Sequence, residues 1–211
     1  QTRGSKPEQI TRMWYAIANE RGEIIKPLYQ KLEENFSKLT IEGLSMGDYT
    51  VVFLATTSEE EDEAVKEPEK LSDDWLINHA ENAPLDAVYF YKKIELHIGR
   101  DQASVSHTVV LERSVGRVDV DLNVSSDYMW RFIRKIDITF DDAEGIYGTL
   151  GADGKYSGTR KIESYDITGK YSFYSLPGTK ALSGFVTIES DRSDGTQFVR
   201  KYRFTDCKIE A

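Results

Sequence analysis

The chain has 211 residues and a formal net charge of −9, with 39% hydrophobic and 30% charged residues. That balance fits a folded protein of one large domain or two of about 100 residues, and its acidity argues against nucleic acid as a partner. The single cysteine, Cys207, excludes an internal disulfide and a cysteine-rich metal site, and no run approaches the roughly 18 apolar residues of a membrane helix.

Residues 1–9, QTRGSKPEQ, are polar and lack the apolar core of a signal peptide, which suits a mature chain and leaves export open. Ile10–Asn19 is rich in β-favouring residues and apolar on both faces around Trp14–Ile17, as a central strand of a sandwich would be. Glu20–Glu23 makes a turn. Leu28, Leu32 and Phe36 recur every four positions, which favours a helical turn or two, although Pro27 suits either start. Leu39–Leu44 and Tyr49–Thr56 read as strands separated by Ser45-Met46-Gly47-Asp48, and the second, apolar on both faces, is expected in the core.

Ser58–Lys70 breaks the strand rhythm with a block of acids and is a surface loop. Leu71, Trp75 and Leu76 fall on one helical face behind a potential Ser72 cap, so a short helix is expected there. Strand character returns at Ala87–Gly99 and Val105–Arg113 and leads into Leu111–Val124, the cleanest strand in the chain. There Val118, Val120, Leu122 and Val124 alternate with Arg117, Asp119, Asp121 and Asn123, the period of a half-buried strand. Further strands are expected at 131–140, 146–150, 160–165, 170–176, 181–190 and 197–209, with Asp153-Gly154 and Asp194-Gly195 as hairpin signals. The boundary between an N-terminal unit, 1–113, and a C-terminal unit, 114–211, is placed near residue 113 with no linker.

Catalytic spacing is sparse. The sequence has no G-x-S-x-G elbow, H-E-x-x-H, P-loop or C-x-x-C. His97 and His107 could meet across a hairpin, but without a placed carboxylate they are read as structural or surface residues rather than metal ligands. The run Glu59–Glu63 lacks the interleaved Gly of calcium loops and reads as a solvated segment. Gly148–Gly158 has the glycines of a phosphate loop without a following helix, and reads as a hairpin. No pair of carboxylates is marked as facing across a cleft, so neither an enzyme nor a cofactor is expected. Trp75 and Trp130, near predicted loops, are candidate platforms for sugar stacking, with anchorage of loops on the core as the plainer role.

The order of three stretches says more than any one of them. ITRMWYAIANERGEII, LSMGDYTVVFLATT and TVVLERSVGRVDVDLNV, spanning residues 10–124, resemble the fimbrillin-like and FimB-type fimbrial anchor or minor subunit families of Bacteroidetes. The resemblance implies an all-β chain of two tandem transthyretin-like β-sandwich domains with one or two short helices, exported as a lipoprotein to the cell surface or outer membrane. It implies a non-enzymatic pilus or cell-adhesion subunit that partners other fimbrial subunits and meets the membrane only through a lipid anchor, with Arg3 as a possible processing site. Members of these families join by strand addition, in which an extended strand of one subunit completes the sheet of the next. The rival expectation is a carbohydrate-binding surface module whose partners are host or microbial glycans or proteins.

Overall fold

The computed structural model of the chain describes residues 9–25, 30–32, 36–59, 64–77, 85, 87–101, 104–121, 132–141, 149–157, 165–166, 170–176 and 181–207. Their regular structure is entirely β: β1 (Arg12–Asn19), β2 (Gln30–Leu32), β3 (Gly47–Thr56), β4 (Asp74–Ile77), β5 (Tyr89–Ile98), β6 (Glu112–Arg113) and β7 (Gly116–Asp121), then β8 (Ile133–Phe140), β9 (Thr149–Gly151), β10 (Tyr156–Ser157), β11 (Tyr165–Asp166), β12 (Lys170–Ser175), β13 (Leu182–Asp191) and β14 (Gln197–Cys207). The all-β expectation holds. Contacts group the chain into two compact units: Gln1–Ile77, Asp86–Val115 and Thr149–Ser157 in one, Asn78–Leu85, Gly116–Gly148 and Gly158–Ala211 in the other.

In the first unit a five-stranded antiparallel sheet runs β2-β1-β3-β5-β6 and a three-stranded sheet runs β10-β9-β4. The large sheet is buried on both faces, which is why β1 and β3 carry apolar residues at successive positions rather than alternating ones. Met13, Tyr15, Ile17, Val51, Phe53 and Ala55 form one face, covered by Phe36, Leu39, Ile41, Leu44, Val109 and Leu111. Trp14, Ala16, Val52 and Leu54, on the other pleat, are buried as well. On that side Tyr91 of β5 meets Trp75 of β4 edge-on, ring centroids 6.4 Å apart, and its hydroxyl donates to the Ala152 carbonyl at 3.0 Å. Burial, with a smaller contribution from Asp153, pushes the Tyr91 phenol above its ordinary pKa.

Three expectations are corrected here. The expected helix around Leu71–Leu76 is strand β4, and no helix occurs among the described residues. The apolar spacing at Leu71, Trp75 and Leu76 fits a helix, but Trp75 and Leu76 are both buried, one on each pleat of a strand enclosed on two sides. The expected strand Leu39–Leu44 is irregular, and the expected strand Val105–Arg113 is regular only at β6. Both irregular stretches lie across the large sheet and use their apolar residues to cover it. The helical spacing at 28–36 meets β2 at Gln30–Leu32, while 26–29 and 33–35 lie outside the described residues.

The hairpin expected at Asp153-Gly154 forms between β9 and β10. Gly154 has φ of 83°, and a Cβ there would sit 2.8 Å from Cε1 of Tyr91. Gly195, in the other expected hairpin, has φ of 80° and open space around it. Gly195→Ala is therefore expected to lose only the left-handed backbone preference, about 1–2 kcal/mol. Gly154→Ala should lose more, because it must also move a ring held by Trp75 and Ala152. Equilibrium urea unfolding of the two variants checks the order, and equal losses would mean the Tyr91 ring yields freely.

In the second unit a four-stranded sheet runs β11-β8-β13-β14, and β7 pairs with β12 in register from Gly116↔Ser175 to Asp121↔Lys170. Ile136 and Ile138 of β8 face Ile188 and Val186 across the ladder, and Ile136, Ile138 and Val186 are buried. On β7, Arg117 and Asp119 are exposed. The Ser172 hydroxyl donates to Asp119 at 2.5 Å and Arg117 adds a bond at 2.8 Å, and together these hold the Asp119 carboxyl below its usual range. These residues are a cross-strand polar ladder on the solvent side, as the alternation from Arg117 to Asn123 implied; 122–124 lie outside the described residues.

Candidate strand-pairing interface

The β13–β14 hairpin is closed by Asp194-Gly195. The Arg192 N–H donates to the Thr196 carbonyl at 2.8 Å and the Gly195 N–H to the Arg192 carbonyl at 2.9 Å, while the Asp194 carboxylate accepts from the Thr196 N–H and hydroxyl at 2.9 and 2.6 Å. From there the pairing runs Asp191↔Gln197, Ser190↔Phe198, Glu189↔Val199, Ile188↔Arg200, Thr187↔Lys201 and Val186↔Tyr202.

This register fixes which backbone groups of β14 look outward. The Asp191 N–H bonds to Phe132 on the β8 side, so odd residues of β13 serve β8 and even residues serve β14. By the same alternation Phe198, Arg200 and Tyr202 bond back to β13, while the N–H and C=O of Gln197, Val199, Lys201 and Arg203 point away from the sheet. No described strand pairs with that side. The β14 strand is 11 residues long, and among the described strands it forms a long one-sided edge.

The side chains along this edge are partly apolar. Val199 is 53% exposed and Tyr202 49% exposed, and Tyr202 lies next to buried Val186 on the face that continues to Ile136 and Ile138. The apolar face of the sheet therefore opens at its β14 border. A long exposed edge carrying apolar side chains is the arrangement that accepts an added strand. The corresponding border in the first unit, β4, is shielded: Lys66 donates to the Trp75 carbonyl at 2.8 Å and the Ile77 N–H donates to Ala64 at 2.9 Å.

Guanidinium groups are stacked on the hairpin. Arg192 and Arg200 lie 4.8 and 4.9 Å from the Phe198 ring centroid, and Arg203 lies 4.8 Å from that of its cross-strand neighbour Phe185. Arg203 also pairs with Asp141 at 2.5 Å.

The residues singled out from sequence lie elsewhere. Trp75 is 0% exposed and packed against Tyr91, so its ring offers no face to a sugar. Trp130 and Arg3 lie outside the described residues. His97 pairs with Asp48 at 2.5 Å on the sheet surface, and among the described residues no three potential ligands gather into a metal site. Most of the acidic run Glu59–Glu63 is also outside the described residues. The β14 edge was expected as a strand but not as an edge. Its signal in the sequence is the basic and aromatic mixture FVRKYRF in an acidic chain.

No protein-family model matches the chain, and no curated protein matches it by sequence. Among solved structures it is similar to the fimbrial anchor protein Mfa2 from Porphyromonas gingivalis, with a TM-score of 0.53 over 96% of this chain and 76% of that one at 12% identity. The two chains share a fold. The all-β, multi-sheet part of the architecture implied by the sequence resemblance is present, at an identity where the shared feature is the backbone. A candidate polysaccharide-binding protein of the DUF1812 group from Bacteroides thetaiotaomicron is similar too, with a TM-score of 0.56 over 90% of this chain and 71% of that one at 14% identity.

Proposed function

We propose that the chain is a structural subunit of a bacterial surface filament, an anchor or minor fimbrial component that joins its neighbours by strand addition and carries out no catalysis. The observation that carries this reading is the β14 edge, whose outward backbone groups at Gln197, Val199, Lys201 and Arg203 border the open apolar face around Tyr202. The fold shared with a fimbrial anchor supports it. A neighbouring strand would supply main-chain hydrogen bonds and side chains at alternate positions, giving affinity and register together.

Two tandem transthyretin-like domains divided near residue 113, lipoprotein export, an outer-membrane location and processing at Arg3 belong to the same proposal. Grouping of the contacts assigns Val115 and Gly116 to different units, which supports a division near 113, while Asn78–Leu85 groups with the second unit and Thr149–Ser157 with the first. The test is localisation and incorporation. An epitope-tagged chain expressed in a fimbriated Bacteroidetes host should appear on intact cells and in sheared filaments, and Arg3→Ala should delay its maturation. Confinement of the tag to the cell interior, with none in filaments, would refute the reading.

Glycan capture is the second reading, favoured by the likeness to the DUF1812 protein. With Trp75 buried, it rests on Trp130, and a glycan array with Trp130→Ala separates the two readings.

A further inference from the structure

We propose that the strand received at the β14 edge is acidic at its centre, with carboxylates opposite Arg200 and Lys201 flanked by apolar residues opposite Val199 and Tyr202. This rests on the strand-addition reading and adds the chemistry of the partner. Between Arg192 and Arg203 the sequence holds Arg192, Arg200, Lys201 and Arg203 against Asp194, so four positive charges and one negative leave +3 in a chain whose total is −9. The positive charge is concentrated on the outer strand: β14 carries Arg200, Lys201 and Arg203 against Asp206, while β13 carries Glu189 and Asp191, so the hairpin as a whole is neutral and its edge strand is basic.

These cations are not equivalent. Arg203 is already paired with Asp141. Arg192, Arg200 and Lys201 have no carboxylate partner among the described residues. Stacking of Arg192 and Arg200 on Phe198 holds their guanidinium groups beside the edge while leaving in-plane N–H donors free for a carboxylate. An added strand lies about 4.8 Å from β14, within reach of both side chains, and opposite charges directly across a ladder attract while like charges repel. Arg200 projects on the face of Phe198 and Tyr202, and Lys201 on the opposite one with Val199. Adjacent carboxylates of one strand, pointing to opposite faces, meet both.

An acidic polysaccharide would use the same guanidinium groups. It is disfavoured because Arg192 and Arg200 already lie over the Phe198 ring it would stack on, and because it leaves the outward backbone groups unused. Basic residues on an edge can also serve to repel strands, which makes the opposite prediction.

The experiment uses the full chain and fluorescence anisotropy with extended peptides that share one apolar pattern and differ only in two central residues, Glu-Glu, Gln-Gln or Lys-Lys. The Glu-Glu peptide is expected to bind about tenfold more tightly than Gln-Gln, from the two cross-strand charge pairs with Arg200 and Lys201. That preference should vanish at high salt and in the Arg200→Gln/Lys201→Gln variant. Both substitutions are at exposed positions, and circular dichroism verifies the fold. Equal binding of the Glu-Glu and Gln-Gln peptides overturns the acidic-partner proposal and leaves strand addition standing. Binding of no peptide, together with self-association of the double variant, overturns both in favour of a guarded edge. Binding of polygalacturonate but no peptide also overturns both, in favour of a glycan site.

Discussion

Trp75→Ala is expected to destabilise the first unit by about 3–5 kcal/mol, the range for deleting a fully buried aromatic side chain. The ring is 0% exposed and meets Tyr91 at an interplanar angle of 87°. Its loss leaves a cavity between β4 and β5, and Tyr91, tied to Ala152 by its hydroxyl, has little freedom to fill it. The indole Nε1 is buried without a hydrogen-bond partner, so the native site already bears a desolvation cost on the order of 1 kcal/mol or more. Trp75→Phe removes that donor while keeping most of the ring, and should cost clearly less than alanine. Urea unfolding with unchanged m-values measures both. A loss under about 1 kcal/mol for the alanine variant would show that β4 is not held by this ring. It also follows that any loss of glycan binding in Trp75→Ala would report damage to the fold.

The second large effect concerns β14. Val199→Pro removes one outward N–H from the edge and leaves the bonds to β13 in place, because proline is tolerated in an edge strand where its nitrogen faces away from the sheet. Incorporation into filaments is expected to fall at least tenfold while the unfolding midpoint barely changes. A missing ladder bond and the bulk of the ring both act on the incoming strand alone. Ser190, Ile188 and Val186 still pair with Phe198, Arg200 and Tyr202. Pull-down of sheared filaments and thermal unfolding, run on the same preparation, separate assembly from stability. Normal incorporation of a stable Val199→Pro protein would place strand addition at some other edge.

Legibility from sequence followed the enclosure of each segment. The strands β1, β3 and β13 lie close to where β-branched and aromatic runs put them, and both glycine turns formed where Asp-Gly was read. Glycine at a positive φ is a local requirement, visible without knowledge of neighbours. Residues 39–44 and 105–111 failed for the opposite reason. Their apolar content is real, but it is spent on covering a sheet, and burial by packing leaves the same trace in a sequence as burial within a strand. Trp75, near a loop, was a candidate platform as well as an anchor on the core, and the structure makes it the anchor. Its ring is buried on the face of β4 that meets Tyr91 of β5, while residues 64–66 and β9 pair with the backbone of β4 on its two sides.

The sequence by itself determined the β class, through local propensity and turn chemistry, and it determined the acidity of the chain and the basic composition of residues 192–203. Only the tertiary structure decided that β4 is a strand, that Trp75 is enclosed, and that β14 pairs with a described strand on one side only. Pairing partners lie far apart in the chain, and whether a strand is central or an edge depends on which distant segment reaches it, a property absent from the pattern of the strand itself.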